Sequence, residues 1–100
     1  MNFGLTKEQF DILTEQVIDP LKAHNLKVYI FGARATGTNH PYSDIDILFD
    51  GETNPEIEKL VSKIRSKMEE SNYPFKVDLV YFPHLAKSYV DSVVQSRILV

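Results

Sequence analysis

The stretch FGARATGTNHPYSDIDILFD, residues 31–50, decides most of what the sequence predicts. An apolar run ends at Phe31, a turn lies between Gly32 and Gly37, and Asp then alternates with apolar residues from Asp44 onward. Glycines in a turn let the backbone approach an anion closely. The alternation indicates a β-strand that carries Asp44 and Asp46 on one face, ~6.5–7 Å apart. A turn of this kind before paired carboxylates is suited to holding a phosphorylated ligand with its metal.

The flanking sequence predicts a small α+β fold. Thr6 and Gln9 form a capping box for a first helix, and Pro20 is expected to kink or split that helix near residues 18–19. Period-two apolar runs predict strands, and apolar residues at helical spacing predict the helices between them. The order predicts a small mixed β-sheet with helices packed on one face. The expected elements after the first helix are strands at 26–31, 44–49 and 75–81, a helix capped by Thr53 or Asn54, and a helix at 85–97, whose buried side is Leu85, Ala86, Tyr89, Val90, Val93 and Val94.

A third carboxylate lies in the last predicted strand. Asp78 stands between Val77 and Leu79, where a charged side chain is costly unless it has a partner or a function. If strands two and three are neighbours, Asp78 projects to the same face as Asp44 and Asp46. Mg²⁺ prefers hard oxygen ligands and shares them with substrate phosphates, and two such ions can serve both the attacking and the leaving oxygen. The three aspartates are therefore candidate metal ligands.

The turn itself offers two polar contacts, each with a plainer alternative. Arg34 is the only basic residue of the turn and is either a bidentate phosphate ligand or a surface arginine. Ser43 either caps the strand start, binds phosphate through its hydroxyl, or is simply tolerated in the loop. His40 and His84 lack the spacing of a metal pair and are interpreted as ordinary loop histidines.

Composition restricts the class of protein. The chain has 100 residues, no cysteine and a formal charge of −3. We expect one domain, residues 1–100, with no disulfide framework or thiolate site. No basic face is apparent, so direct DNA binding is not expected. The sequence predicts neither a signal peptide nor a membrane span, and a cytoplasmic location is the expectation.

At this point a family resemblance becomes specific. Gly32-Ala33, ten further residues and then Asp44-Ile45-Asp46 resemble the Gly-Ser-x10-Asp-x-Asp signature of the DNA polymerase β-like nucleotidyltransferases. The whole stretch is similar to the minimal nucleotidyltransferase (MNT) branch, in which FGSRARG…SDIDL is typical. The segment KVDLV, residues 76–80, is similar to the branch's later strand with its third carboxylate.

The resemblance implies a nucleotidyltransferase fold and a Mg²⁺-dependent transfer of AMP from ATP to a hydroxyl. It implies that Asp44 and Asp46 are metal ligands. It also implies that Asp78 completes the second metal site and helps to deprotonate or orient the acceptor. MNT proteins commonly pair with HEPN-domain toxins as antitoxins, and they transfer AMP to a tyrosine of the toxin. The implied nucleotide contacts are Gly32, Ala33, Arg34 and Ser43.

Two residues depart from the family pattern. Ala33 replaces the signature serine and removes a hydroxyl contact, while Thr36 replaces a second arginine and removes a charge. Two alternatives therefore stand beside the protein-modifying enzyme. One is a catalytically weak or inactive module that neutralises its HEPN partner by binding. The other is a small-molecule nucleotidyltransferase, although those relatives generally carry an extra substrate domain.

Overall fold

The first helix of the chain contains a π-helical turn where Pro20 interrupts its hydrogen bonding. The computed structural model describes residues 3–100, so Met1 and Asn2 of the expected domain lie outside it. The helix runs as α1 (Lys7–Leu13), a π-helical turn (Thr14–Ile18) and α2 (Asp19–Lys22). Proline lacks an N–H and collides with the carbonyl four residues earlier. The wider turn, in which the Asp19 N–H donates to the Thr14 carbonyl, relieves this conflict without ending the helix.

Local capping follows the expected chemistry. The Thr6 hydroxyl accepts from the Gln9 N–H at 3.1 Å, and the Gln9 side chain accepts from the Thr6 N–H at 2.9 Å. Asn25 ends the helical segment with φ +62°. The long helix α4 (Pro55–Glu70) begins with Asn54, whose side chain accepts from the Ile57 N–H.

Four strands form one mixed sheet in the order β3-β2-β1-β4. β1 (Lys27–Phe31) pairs antiparallel with β2 (Ile45–Asp50), and β2 pairs parallel with β3 (Val77–Tyr81). The parallel pair requires a crossover, and α4 supplies it. The sheet and its helices confirm the predicted mixed α/β fold.

The two faces of the sheet differ in character. One face packs against α1, α2 and α4 and supplies the core. The opposite face carries Asp46 and Asp78, because side chains alternate along each strand. The core includes from the sheet Val28, Ile30, Ile45, Ile47 and Leu79, and from the helices Leu13, Val17, Leu21, Ile57, Val61 and Ile64.

The C-terminal segment differs from the prediction. A 3₁₀ turn (Phe82–His84) precedes α5 (Lys87–Ser96), and a fourth strand, β4 (Ile98–Leu99), pairs with β1. The prediction that Tyr89, Val94 and Ala86 are buried was wrong, since Tyr89 and Val94 are 61% and 45% exposed and Ala86, just before α5, is exposed as well. Val93 is the buried residue of α5, so this helix contacts the rest of the protein along a narrower strip than its apolar spacing predicts. None of the helices within residues 3–100 is long and apolar enough to cross a membrane.

Candidate active site

Strand pairing brings two of the three predicted carboxylates side by side. Asp46 and Asp78 are direct partners in the parallel register of β2 and β3. Neighbouring strands lie roughly 4.8 Å apart, so both side chains leave the same face at nearly the same place. The two residues are separated along the chain by α4, and the register of the sheet alone joins them.

Asp44 lies two residues before Asp46, just ahead of β2, and its side chain is exposed. Asp46 is half-buried, and burial raises the pKa of its carboxyl above the ordinary range. The charges of Asp78 and then Asp44 raise that pKa further. Like charges that disfavour each other's ionisation mark a place where a cation is stabilising. The Lys76 ammonium lies 3.6 Å from the Asp78 carboxylate and is mostly exposed.

Gly32 allows the turn to pass directly over Asp46. Its φ of +74° and ψ of −154° belong to a region that L-residues avoid. A Cβ at this position would lie 2.5 Å from the Asp46 Oδ2. The glycine is therefore required both for the turn and for the closeness of the turn to the carboxylate.

Arg34 is buried and holds the loop in place. It is the only buried polar or charged residue within residues 3–100, at 3% exposure. Its Nε and Nη2 donate to the Ser43 carbonyl at 3.1 and 2.8 Å, and its Nη1 donates to the Phe3 carbonyl at 2.8 Å. The guanidinium also lies over the Phe75 ring, 4.6 Å from its centroid. Two of the three hydrogen bonds end at Ser43, so Arg34 fixes the residue that directly precedes Asp44.

The two departures from the family pattern lie in the short helix α3 (Ala33–Thr36). Thr36 is exposed, and its hydroxyl is within 3.2 Å of the Ala33 carbonyl and 2.9 Å of the Thr38 hydroxyl. The Thr36 hydroxyl is thus engaged within the turn itself. Gly37 closes the turn in the left-handed conformation.

A cleft of about 360 Å³ opens beside the carboxylates. It brings together the turn, Ser43 and two of the three aspartates. Two further residues of this cleft were not predicted as site residues: His40, interpreted as an ordinary loop histidine, and Tyr42. Their one sequence signal is their place within three residues of Ser43. The lining residues are Ala33, His40, Tyr42, Ser43, Asp44 and Asp46. A larger cavity of about 740 Å³, between α1 and residues 71–74, contains none of the three aspartates.

The carboxylates suit a metal that arrives with its ligand. Within the described part of the chain, no three His, Asp or Glu side chains are already grouped around one point. Mg²⁺ usually takes one or two protein carboxylates and completes its octahedron with water and substrate phosphates. Adjacent hard oxygen donors on Asp46 and Asp78, with Asp44 near them, match that requirement.

Comparisons with known proteins agree with this geometry. A solved structure of a toxin–antitoxin with AMP-PNP is similar to the chain, with 27% identity, a TM-score of 0.58, and coverage of 85% of this chain and 69% of that one. A nucleotidyltransferase from Sulfolobus solfataricus, 24% identical with a TM-score of 0.50, shares the fold over 91% of this chain and 80% of its own. No protein of curated function matches. The family model described as Nucleotidyltransferase domain matches residues 11–100, and the chain belongs to that family.

Proposed function

We propose that the protein is an antitoxin that transfers AMP from ATP, with Mg²⁺, to a hydroxyl of a HEPN-domain toxin. The observation that carries the proposal is the register of Asp46 with Asp78, beside the glycine turn. Family membership supports nucleotidyl transfer. Similarity to a toxin–antitoxin with AMP-PNP supports a partner protein and an adenine nucleotide. The HEPN identity rests on the resemblance of the motifs to the MNT branch.

The proposed site has a phosphate side and an acceptor side. Asp44 and Asp46 would hold the ions near the turn, and Gly32 and Ala33 would present backbone to the phosphates. Asp78 lies on the neighbouring strand and does not line the cleft, which supports a role for it on the acceptor side. Bound Mg²⁺ would neutralise phosphate charge and help to ionise the acceptor hydroxyl.

The chemical step is an in-line displacement at the α-phosphorus of ATP. The acceptor oxygen forms a bond to the α-phosphorus while the bond to the bridging oxygen of the β-phosphate breaks, and pyrophosphate leaves. Asp78 accepts the hydroxyl proton or orients the hydroxyl for attack. The role of Arg34 in this scheme is to fix the Ser43 carbonyl, and so the start of β2, because its donors already contact main-chain oxygens.

Exposed apolar residues near the C-terminal end of the described chain offer a surface for a partner. Tyr89 and Val94 on α5, and Ile98 and Leu99 on β4, are between 41% and 62% exposed. Four of the six exposed large apolar side chains of the described residues belong to this one segment, and exposed apolar surface is typical of interaction sites in soluble proteins. We propose that the toxin docks on this segment, α5 and β4, where β4 forms the edge of the sheet opposite β3.

A binding-only antitoxin is the second candidate, and specific observations favour it. Ala33 has no hydroxyl for the phosphates, and the Thr36 hydroxyl is engaged within its own turn. The Lys76 ammonium beside Asp78 competes with a cation for that carboxylate. These features weaken the binding of the nucleotide and its cation, but they do not affect the surface proposed for the partner.

Label transfer separates the two candidates. The protein is incubated with Mg²⁺, ATP labelled on the α-phosphate, and the product of the adjacent gene. We expect label on that product with wild type and with Asp19→Asn, an exposed acid on α2. The double variant Asp44→Asn/Asp46→Asn should transfer no label. Full neutralisation of the toxin by this double variant would establish the binding-only antitoxin instead.

A further inference from the structure

The cleft beside the carboxylates has an aromatic residue at its mouth that the proposed chemistry does not use. Tyr42 lines the cleft together with Asp44 and Asp46, yet its side chain is 84% exposed. It is the most exposed of the large apolar side chains within residues 3–100. No hydrogen bond or packing partner accounts for this ring's position in the described part of the chain. An exposed aromatic ring beside a nucleotide cleft calls for a functional explanation.

The main chain around Tyr42 is fixed in position. The Tyr42 N–H donates to the His40 Nδ1 at 3.1 Å, and the His40 N–H donates to the Ser43 hydroxyl at 3.0 Å. The Ser43 N–H returns to the His40 carbonyl at 3.1 Å, and Pro41 fixes φ between them. Arg34 anchors the end of this loop through the Ser43 carbonyl. Tyr42 therefore presents its ring from a rigid base, which lowers the entropy cost of stacking.

The residues that share the cleft with Tyr42 assign the ring to one part of the ligand. Ala33 of the turn, Asp44 and Asp46 line the same cleft, and in the proposed function they face the phosphates and their ions. Asp78, on the acceptor side, does not line this cleft. A ligand whose phosphates lie against the turn has its nucleoside as the remaining part within the same cleft. We propose that Tyr42, with the His40 ring beside it, forms the platform on which the nucleobase stacks.

This subsite rests on the proposed function and adds the source of nucleotide affinity. Ala33 and Thr36 remove a hydroxyl and a charge from the phosphate end. A stacking surface at the other end offsets that loss, because every base has a π-face and stacking on an aromatic ring contributes substantially to binding. Stacking is also tolerant of base identity, so the platform predicts modest rather than strict preference for adenine.

A competing role for Tyr42 is that of acceptor. In that case its hydroxyl would attack the α-phosphorus, and the chain would label itself. In-line transfer requires the acceptor opposite the leaving pyrophosphate. Tyr42 shares the cleft with the ligand's proposed phosphate contacts, whereas Asp78, the residue proposed for the acceptor side, does not line that cleft, which favours contact of Tyr42 with the ligand over attack on it.

Calorimetry with two ligands tests the subsite. The ligands are inorganic tripolyphosphate and an ATP analogue with a methylene group between the α- and β-phosphates, each with Mg²⁺. Wild type is compared with Tyr42→Ala, Tyr42→Phe and Ile12→Ala, the last removing an exposed apolar side chain on α1. We expect Tyr42→Ala to bind the analogue at least about fivefold more weakly, near the lower end for one stacked base, and to bind tripolyphosphate as wild type does.

Each outcome has a distinct meaning. Tyr42→Phe should retain the affinity for the analogue, since stacking needs the ring and not the hydroxyl, and Ile12→Ala should match wild type. Equal analogue binding by wild type and Tyr42→Ala, or equal loss of both ligands, would overturn the platform. Label on Tyr42 after incubation with α-labelled ATP alone would make it an acceptor and also overturn it. Failure of wild type to bind either ligand would instead refute the proposed function.

Discussion

The two halves of the candidate site are built by different means. Asp46 and Asp78 are placed by main-chain pairing of β2 and β3, and many hydrogen bonds of the sheet share the task. The loop from Gly32 to Ser43 is placed by one buried side chain, Arg34, and by one glycine. The aspartates should therefore keep their positions after a single substitution in the strands, but the site should not tolerate the loss of one of their charges. The loop, in contrast, depends on a few contacts that no other residue replaces.

The largest expected effect comes from removing charge in the carboxylate half. Asp46→Asn keeps the shape of the side chain and removes a metal ligand, so nucleotidyl transfer should fall by about a hundredfold or more, since a bound metal supplies several kcal/mol. Initial rates of label transfer to the partner measure this. Asp19→Asn serves as the matched control and should retain activity. Comparable rates in the two variants would contradict the role of Asp46.

Adding a methyl group at Gly32, in the loop half, should disturb the Asp46 carboxylate. In Gly32→Ala the new Cβ meets the Asp46 Oδ2 and the backbone pays about 1–3 kcal/mol of strain. Gly37→Ala has a similar φ, +78°, but nothing lies within 4 Å of its Cβ. We expect both variants to lose stability in thermal unfolding and Gly32→Ala alone to lose most transfer activity. Equal activities would mean that the closeness of turn and carboxylate is unimportant.

Removing the buried guanidinium should destabilise the fold as well as the loop. Arg34→Ala leaves two main-chain carbonyls without donors and exposes Phe75, and we expect a loss of about 2–4 kcal/mol in the free energy of unfolding. Arg65→Ala removes a single bond, from Nη2 to the Leu79 carbonyl, at an exposed position and should cost under about 1 kcal/mol. Urea denaturation measures both. Similar losses would show that Arg34 has no special structural role.

Restoring the family hydroxyl should strengthen the weak end of the site. Ala33→Ser adds a donor at the phosphate turn, and we expect a KM for ATP about 3- to 10-fold lower, the equivalent of one modest hydrogen bond. Ala33→Gly removes the Cβ without adding a hydroxyl and should not improve KM. An unchanged KM in Ala33→Ser would place the phosphates away from this turn.

The smallest expected effect is on stability at different pH. The pKa of Asp46 is raised, so the folded chain holds a proton there that the unfolded chain has released. Stability is therefore lost as pH rises from about 3.8, the ordinary value, through the raised pKa. In the absence of divalent cations, Asp46→Asn should be more stable than wild type across that pH window. Urea unfolding in a pH series measures this difference. A difference of the opposite sign would mean that burial and the neighbouring carboxylates do not disfavour the charge of Asp46.

Period-two and helical patterns were enough to predict the sheet face that carries the aspartates and the helices that cover the other face. Asp78 was identified because a charged residue interrupts an apolar strand. Strand β4 was missed, since two residues carry no periodicity and its pairing with β1 is a tertiary contact. The buried side of α5 was overestimated for a related reason: apolar spacing predicts which residues share a face, but not how much of that face is covered.

Arg34 illustrates what local pattern cannot supply. An arginine in a polar turn is equally consistent with a phosphate ligand and a surface residue. Its burial arises because Phe3, Ser43 and Phe75 come together from three distant parts of the chain. The same holds for Tyr42, whose exposure beside the cleft depends on how the His40–Ser43 loop folds back on itself.

The central claim is that carboxylates from two strands form one metal–nucleotide site. Counting Mn²⁺ ions bound per chain by electron paramagnetic resonance, with the methylene analogue of ATP present, tests it most directly. Wild type and Asp19→Asn should bind two Mn²⁺, and Asp78→Asn should bind one, because Asp78 completes the second position from β3. Two ions in Asp78→Asn, or none in wild type, would contradict the account.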